Sequence, residues 1–174
     1  MYADWQMAEK VDQKDVLEEH VVEVLAKRGW TVTTAESCTG GLIAGTLVNV
    51  SGASEVLNEG YVTYSNEAKH RLLGVQIQTL EQYGAVSDQT AREMAEGAAK
   101  AAGADVAFAS TGIAGPGGGT PEKPVGLIFV SCYIRGNVFV RECHFKGSRM
   151  ENRLNTVQAV FQLFLDNCGE NLVE

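Results

Sequence analysis

The chain has 174 residues, of which 45% are hydrophobic and 21% charged, so it is no disordered tail and has room for one domain with a full core. Acidic residues outnumber basic ones 22 to 14, a formal net charge of −8. That balance disfavours generic binding to a nucleic-acid backbone or an anionic membrane, both of which reward a concentrated positive patch, and leaves local basic residues free to bind one small phosphate.

The opening residues, MYADWQMAEKVDQKD, have neither the basic start nor the apolar stretch of a secretory signal. No apolar run approaches the roughly 18 residues that a bilayer span requires. Residues 1–12 are expected to be a flexible lead-in, and 13–174 a single domain. From Val16, the apolar positions Val16, Leu17, Val21, Val24 and Leu25 mark one face of a helix that ends near Gly29. Thr31–Ala35 is β-branched and predicts a strand, and Thr39-Gly40-Gly41 then leads into a second helix over LIAGTLVNV. Tyr61–Ser65 predicts another strand, followed by a short helix over Asn66–Leu73.

Ser87 is placed to cap a long Ala-rich helix over 88–102, which stops at Gly103. Val106–Ser110 reads as a buried strand. The stretch 112–124 holds five glycines and all three prolines of the chain, which predicts a loop. Gly126–Ile134 and Val138–Phe145 alternate about Arg135-Gly136-Asn137, a hairpin signal. Ser148 and Glu151 have capping-box spacing and open a final helix that runs to about Asn167. A terminal hairpin excludes a purely parallel sheet. The expected fold is therefore α/β, a three-layer α/β/α sandwich with a mixed β-sheet.

Cys38, Cys132, Cys143 and Cys168 show neither Cys-x-x-Cys pairing nor zinc-like spacing. A core of this size needs no disulfide framework, so reduced thiols, no metal and a cytoplasmic location are expected. Three junctions can carry chemistry. Glu36-Ser37-Cys38-Thr39-Gly40-Gly41 lies between a strand end and a helix start, where a nucleophile and oxyanion donors combine easily. The plainer reading is that Ser37 or Thr39 only caps the helix. The loop 111–126, TGIAGPGGGTPEKPVG, fails both the Rossmann and the P-loop spacing. Its glycines can expose N–H groups to an anion or wall a planar ring; the alternative is a surface connection.

The third junction is Tyr64-Ser65-Asn66-Glu67-Ala68-Lys69. A lysine acts as a general base when burial lowers its pKa, whereas a lysine on a solvated helix face does not. Cys38 is a second candidate nucleophile, because a helix start lowers a thiol pKa. Arg149 and Arg153 lie one helical turn apart and can share a face toward a phosphate or carboxylate. His20 lies on or near the apolar face of the first helix and is expected at the core edge rather than in a catalytic role, and His70 and His144 have no partner at metal spacing.

TAESCTGG (34–41), EGYVTYSNEAKHRLLGV (59–75), ASTGIAGPGGGTPEKPVG (109–126) and FKGSR (145–149) together resemble the C-terminal domain of the competence/damage-inducible CinA family. These are the bacterial nicotinamide-nucleotide amidohydrolases, and the resemblance spans about residues 13–168. It implies deamidation of nicotinamide mononucleotide to nicotinate mononucleotide and ammonia, without a cofactor or metal. It implies Ser37 as nucleophile, Lys69 as base and Tyr64 as an assisting residue. Oxyanion and substrate contacts are then expected from Cys38, Thr39, Gly40 and Gly41. Thr111, Gly112, Gly115, Gly117 and Gly118 of the loop are expected to join them, with Arg149 for the phosphate.

Two departures from the family pattern stand out. The length leaves no room for the N-terminal domain that many members carry, which suggests a stand-alone form. Ser148 stands where the family often has aspartate. Two other readings compete: a weakly active or non-catalytic pyridine-nucleotide-binding module acting through a protein partner, and a hydrolase of a different amide. Symmetric self-association into a homo-oligomer is expected of a small α/β enzyme. The charge gives no support to direct DNA binding.

Overall fold

Short β-branched runs and capped amphipathic helices alternate along the chain, and the computed structural model describes them for residues 16–169. The expected lead-in at 1–12 lies outside the described residues. α1 (Leu17–Arg28) carries Glu18 and Glu19 in its first turn and Lys27 and Arg28 in its last, matching the helix dipole. It ends at Gly29, whose left-handed backbone closes the helix. β1 (Val32–Glu36) follows and is buried at every position. α2 (Leu42–Leu47) is shorter than the expected 42–50 helix; a 3-10 turn at Ala53–Glu55 takes up the chain beyond Gly52.

β2 is only Tyr61–Val62, not the expected 61–65, because Ser65 serves instead as the N-cap of α3 (Asn66–Leu73). α4 (Ile77–Tyr83) is an additional helix; none of its residues is fully buried, and its short apolar row Ile77, Leu80 and Tyr83 touches the core only through Leu80. α5 (Asp88–Ala102) is capped by Ser87, which accepts from the Thr90 N–H, and stops at Gly103. β3 (Val106–Gly112) runs two residues further than the sequence suggested. β4 (Leu127–Ile134) and β5 (Asn137–His144) form the hairpin, joined by Arg135 and Gly136, both with positive φ as a type I′ turn requires. α6 (Arg149–Asn167) opens on a complete capping box between Ser148 and Glu151.

The five strands lie in the order β2-β1-β3-β4-β5. β1 is parallel to β2 and β3, while β3–β4 and β4–β5 are antiparallel. The sheet is mixed, and helices cover both faces. α1, α2 and α6 pack on one face around Val21, Leu25, Ile43, Phe108, Ile128 and Phe161. α3 and α5 pack on the other around Ala35, Ala107, Ala109, Met94, Ala95 and Ala98, with α4 against α5. Gly97 lets these helices touch: a Cβ there would lie 1.8 Å from the Leu73 carbonyl oxygen. The registers matter most at one end. β1 ends with Glu36 opposite Ser110, while β3 continues through Thr111 and Gly112 against β4. Past the end of β1 the sheet therefore has a notch, at the carboxyl ends of two parallel strands, where α/β folds commonly bind ligands.

Candidate active site

Ser37 is the first residue beyond β1. Its N–H donates to the Ser110 carbonyl at 3.0 Å, so the sheet ladder holds it one step past the strand. The next three residues turn sharply, and the Gly40 N–H reaches back to the Ser37 carbonyl at 3.2 Å. Gly40 has φ +58°, a left-handed conformation that glycine adopts without strain. The fully buried Glu36 carboxylate accepts from the N–H groups of Gly41 (2.9 Å), Ile43 (3.0 Å) and Ala44 (2.9 Å). The start of α2 is thus satisfied by the chain's own carboxylate and offers none of these donors to an incoming anion. Among the described residues, the Cys38 and Thr39 N–H groups have no protein acceptor.

Lys69 comes from α3, whose N-cap Ser65 accepts from the Ala68 N–H at 3.0 Å. The side chain is 1% exposed, so it lies nowhere near a solvated helix face. Its Nζ donates to Ser37 Oγ and to the Thr63 carbonyl, each at 2.9 Å. Thr63 is itself fixed, since its N–H donates to the Glu36 carbonyl at 2.8 Å. Burial disfavours the ammonium and lowers the Lys69 pKa to about 8. At neutral pH a minority of the lysine is then the neutral amine, in contact with a serine hydroxyl, and above about pH 8 most of it is. Cys38 behaves oppositely: burial pushes its thiol up to about 11, so it is protonated at neutral pH and a poor nucleophile.

Tyr64 is 63% exposed at the mouth of the site. Its hydroxyl accepts from Arg149 Nη2 at 3.1 Å, and it makes no hydrogen bond to Ser37 or Lys69. Arg149 Nη1 donates to the Gly115 carbonyl at 2.8 Å, which ties the glycine-rich loop to the start of α6. Asn152, one turn on, donates to the Ala114 carbonyl at 3.0 Å and accepts from the Gly147 N–H at 2.9 Å.

A cavity of about 230 Å³ occupies the notch and brings together Ser37, Cys38, Tyr64, Lys69, Thr111, Gly112 and Arg149. Asn66, Ala85, Val86 and Ala114 complete its wall; nothing in their residue types singled them out. Thr111 Oγ1 donates to the Ala85 carbonyl at 2.6 Å, drawing the segment before α5 into that wall. Thr39, Gly40, Gly41, Gly115, Gly117 and Gly118 do not line the cavity. Thr39 points inward instead, with its hydroxyl 2.7 Å from that of Ser110. Arg153 does not join Arg149 on a common ligand face; it bonds the Cys38 and Thr39 carbonyls. His70 and His144 are engaged locally, with the Val75 carbonyl and Glu142, and His20 is exposed on α1 rather than at the core edge expected of it. A larger groove, about 650 Å³, lies between α3 and α5 around Gln76, Glu93 and Lys100, away from these reactive groups.

The family model for the CinA C-terminal domain matches residues 14–168. A CinA-like protein of Kosmotoga olearia is 52% identical over 150 residues, 86% of this chain and 36% of that protein. A relative from Clostridium beijerinckii is 57% identical over 138 residues, 79% of this chain and 34% of its own length. The chain thus spans about a third of the length of the curated relatives it matches. Among solved structures, the competence/damage inducible protein CihA of Agrobacterium tumefaciens superposes with a TM-score of 0.84 at 47% identity, covering 86% of this chain and 92% of that one. The competence damage-inducible protein A (ComA) of Klebsiella pneumoniae gives 0.85 at 34% identity, covering 88% and 96%. No helix among the described residues is long and apolar enough to cross a membrane. By the match of the family model over nearly the whole chain and the likeness to these solved structures, this chain belongs to the CinA family through the C-terminal domain.

Proposed function

We propose that the domain is an amidohydrolase that converts nicotinamide mononucleotide to nicotinate mononucleotide and ammonia. The observation that carries the reading is the buried Lys69 Nζ, 2.9 Å from Ser37 Oγ at the floor of a cavity. Neutral Lys69 takes the Ser37 proton as Oγ bonds to the amide carbon. The carbonyl oxygen becomes negative, and the unbonded N–H of Cys38, which lines the cavity, is the donor adjacent to it; a good donor contributes about 3 kcal/mol. Protonated Lys69 returns its proton to the amide nitrogen, ammonia leaves, and an ester on Ser37 remains. Water then attacks that ester with Lys69 again as base, releasing the carboxylate and restoring the serine.

The substrate assignment is supported by the family resemblance together with the make-up of the cavity mouth. A pyridinium ring is flat and cationic and suits the exposed Tyr64 ring. The phosphate suits Arg149, whose guanidinium stands beside that ring. Because the working form of Lys69 is neutral, activity is expected to rise with pH and level off above about pH 8.

The test is ammonia release from nicotinamide mononucleotide by wild type, Ser37→Ala and Cys38→Ala. Release by wild type and Cys38→Ala, with near-complete loss in Ser37→Ala, is the expected result. A live Ser37→Ala beside a dead Cys38→Ala would move the nucleophile to the thiol. No release, with the compound still raising the melting temperature, would make the domain a nucleotide-binding module. Neither release nor stabilisation would remove this substrate altogether.

A further inference from the structure

Arg153 follows Arg149 by one turn of α6, yet it points into the backbone of the turn after Ser37. Its Nε donates to the Cys38 carbonyl at 3.1 Å and its Nη2 to the Thr39 carbonyl at 2.7 Å. A planar guanidinium that holds two successive carbonyls fixes two successive peptide planes. A trans peptide directs its N–H opposite to its C=O. The one cis bond among the described residues is Gly115–Pro116, so both peptides held by Arg153 are trans. Its grip on the Cys38 carbonyl therefore aims the Thr39 N–H away from the guanidinium, and its grip on the Thr39 carbonyl does the same for the Gly40 N–H.

The second consequence is visible, because the Gly40 N–H meets the Ser37 carbonyl on the far side of the turn. The first N–H meets no protein acceptor. Glu36 acts from the other side, binding the Gly41, Ile43 and Ala44 donors that would otherwise compete for an anion. The Cys38 donor is left on the cavity wall next to the nucleophile, with the fully buried Thr39 behind it.

We infer that Arg153 is a positioning residue that holds the turn after Ser37 in the shape that keeps the Cys38 N–H, on the cavity wall, beside the oxygen that turns negative when Ser37 attacks an amide. The inference rests on the amide-hydrolysis reading above. Arg153 touches no reacting atom; it acts through the two peptide planes that it holds. A second helix, more than a hundred residues away in sequence, thereby sets the geometry of the turn.

The experiment compares wild type with Arg153→Ala and Arg153→Gln in two assays on the full chain. One is steady-state ammonia release from nicotinamide mononucleotide. The other is binding of pyridine-3-boronic acid, in which Ser37 Oγ bonds to boron, its proton passes to Lys69, and a tetrahedral anion forms. In Arg153→Ala, kcat is expected to fall about 100-fold with KM held within about threefold, and boronate affinity to weaken by a similar factor. Added guanidinium ion at tens of millimolar should restore about tenfold of the lost kcat, which a merely structural role would not give. Arg153→Gln, which keeps one donor for a carbonyl, should lose about tenfold and decides the matter where Arg153→Ala does not fold.

A kcat and boronate affinity both within threefold of wild type would overturn the inference, as would a raised KM with unchanged kcat, which would put Arg153 on the substrate. Should wild type form the boronate adduct without releasing ammonia, the substrate reading fails and the adduct series alone decides Arg153. Should wild type do neither, the hydrolase reading and this inference fall together.

Discussion

The two faces of the sheet are packed by opposite means, and β3 displays both. Val106 and Phe108 point to α1 and α6, while Ala107 and Ala109 point to α5. On the first face bulk fills the space: the Phe108 ring meets Phe161 and Phe164 edge-on, with centroids 5.7 and 5.5 Å apart. On the second face the side chains are mostly methyl groups, and the helices lie close. Gly97 takes this to the limit, since it has no Cβ to hold α3 away. Bulk supplies most of the stability on one side. Closeness on the other side sets where α3 stands, and with it where Lys69 meets Ser37.

Breaking the bulky face should give the largest change in stability. Phe108→Ala is expected to cost about 3–5 kcal/mol in denaturant unfolding, with ammonia release per folded molecule close to wild type. Breaking the close face should do the reverse in proportion. In Gly97→Ala the new Cβ meets a backbone carbonyl that cannot swing aside, so α3 must shift; the cost should be about 1–3 kcal/mol, with activity per folded molecule down about 100-fold. A Gly97→Ala variant with full activity would separate helix spacing from catalysis.

The smallest effect sharpens the comparison and has the opposite sign. Lys69→Met should abolish activity yet raise stability at pH 7, because burial of the ammonium destabilises the wild-type fold. The drop from 10.5 to about 8 corresponds to roughly 3 kcal/mol, partly offset by the lost bonds to Ser37 and Thr63, so a gain of about 1–2 kcal/mol is expected. Below pH 8 the folded and unfolded chains both hold the proton, and the full cost stands. Between about pH 8 and 10.5 the folded chain has shed it while the unfolded chain keeps it, so wild-type stability rises with pH across that window. The gap to Lys69→Met should close there, as melting curves at several pH values would reveal.

Most of the architecture was legible because its signals are local. Ser87 and Ser148 are caps with a matching helix behind them, and Arg135-Gly136 is a turn with the positive φ values its hairpin needs. α4 was harder to read because it is only seven residues long, with a single short apolar row of Ile77, Leu80 and Tyr83 and no side-chain cap. β2 was overread because the aromatic and β-branched run Tyr61–Thr63 looks the same whether it ladders for two residues or five.

Within the site, Ser37 stands at a strand end, a position that sequence can suggest. Lys69 differs from a surface lysine only by burial, which belongs to the tertiary fold. Glu36 gave a weak signal, an acidic residue closing an apolar strand, whose meaning appears only when its carboxylate reaches the α2 donors. Arg153 sits at the right spacing from Arg149 but serves the backbone, a distinction that residue types do not carry.

The four sulfurs draw out one more property of this packing. Cys38, Cys132, Cys143 and Cys168 are all buried and all have pKa values raised by burial. A disulfide reagent in solution meets no ready thiolate, so its reaction is gated by opening of the fold. Cys132 lies in the middle of the sheet and keeps time for global opening, while Cys38 borders the cavity and keeps time for local breathing of the catalytic turn. The chain thus carries two clocks of its own, one for the whole fold and one for the place where its chemistry is proposed.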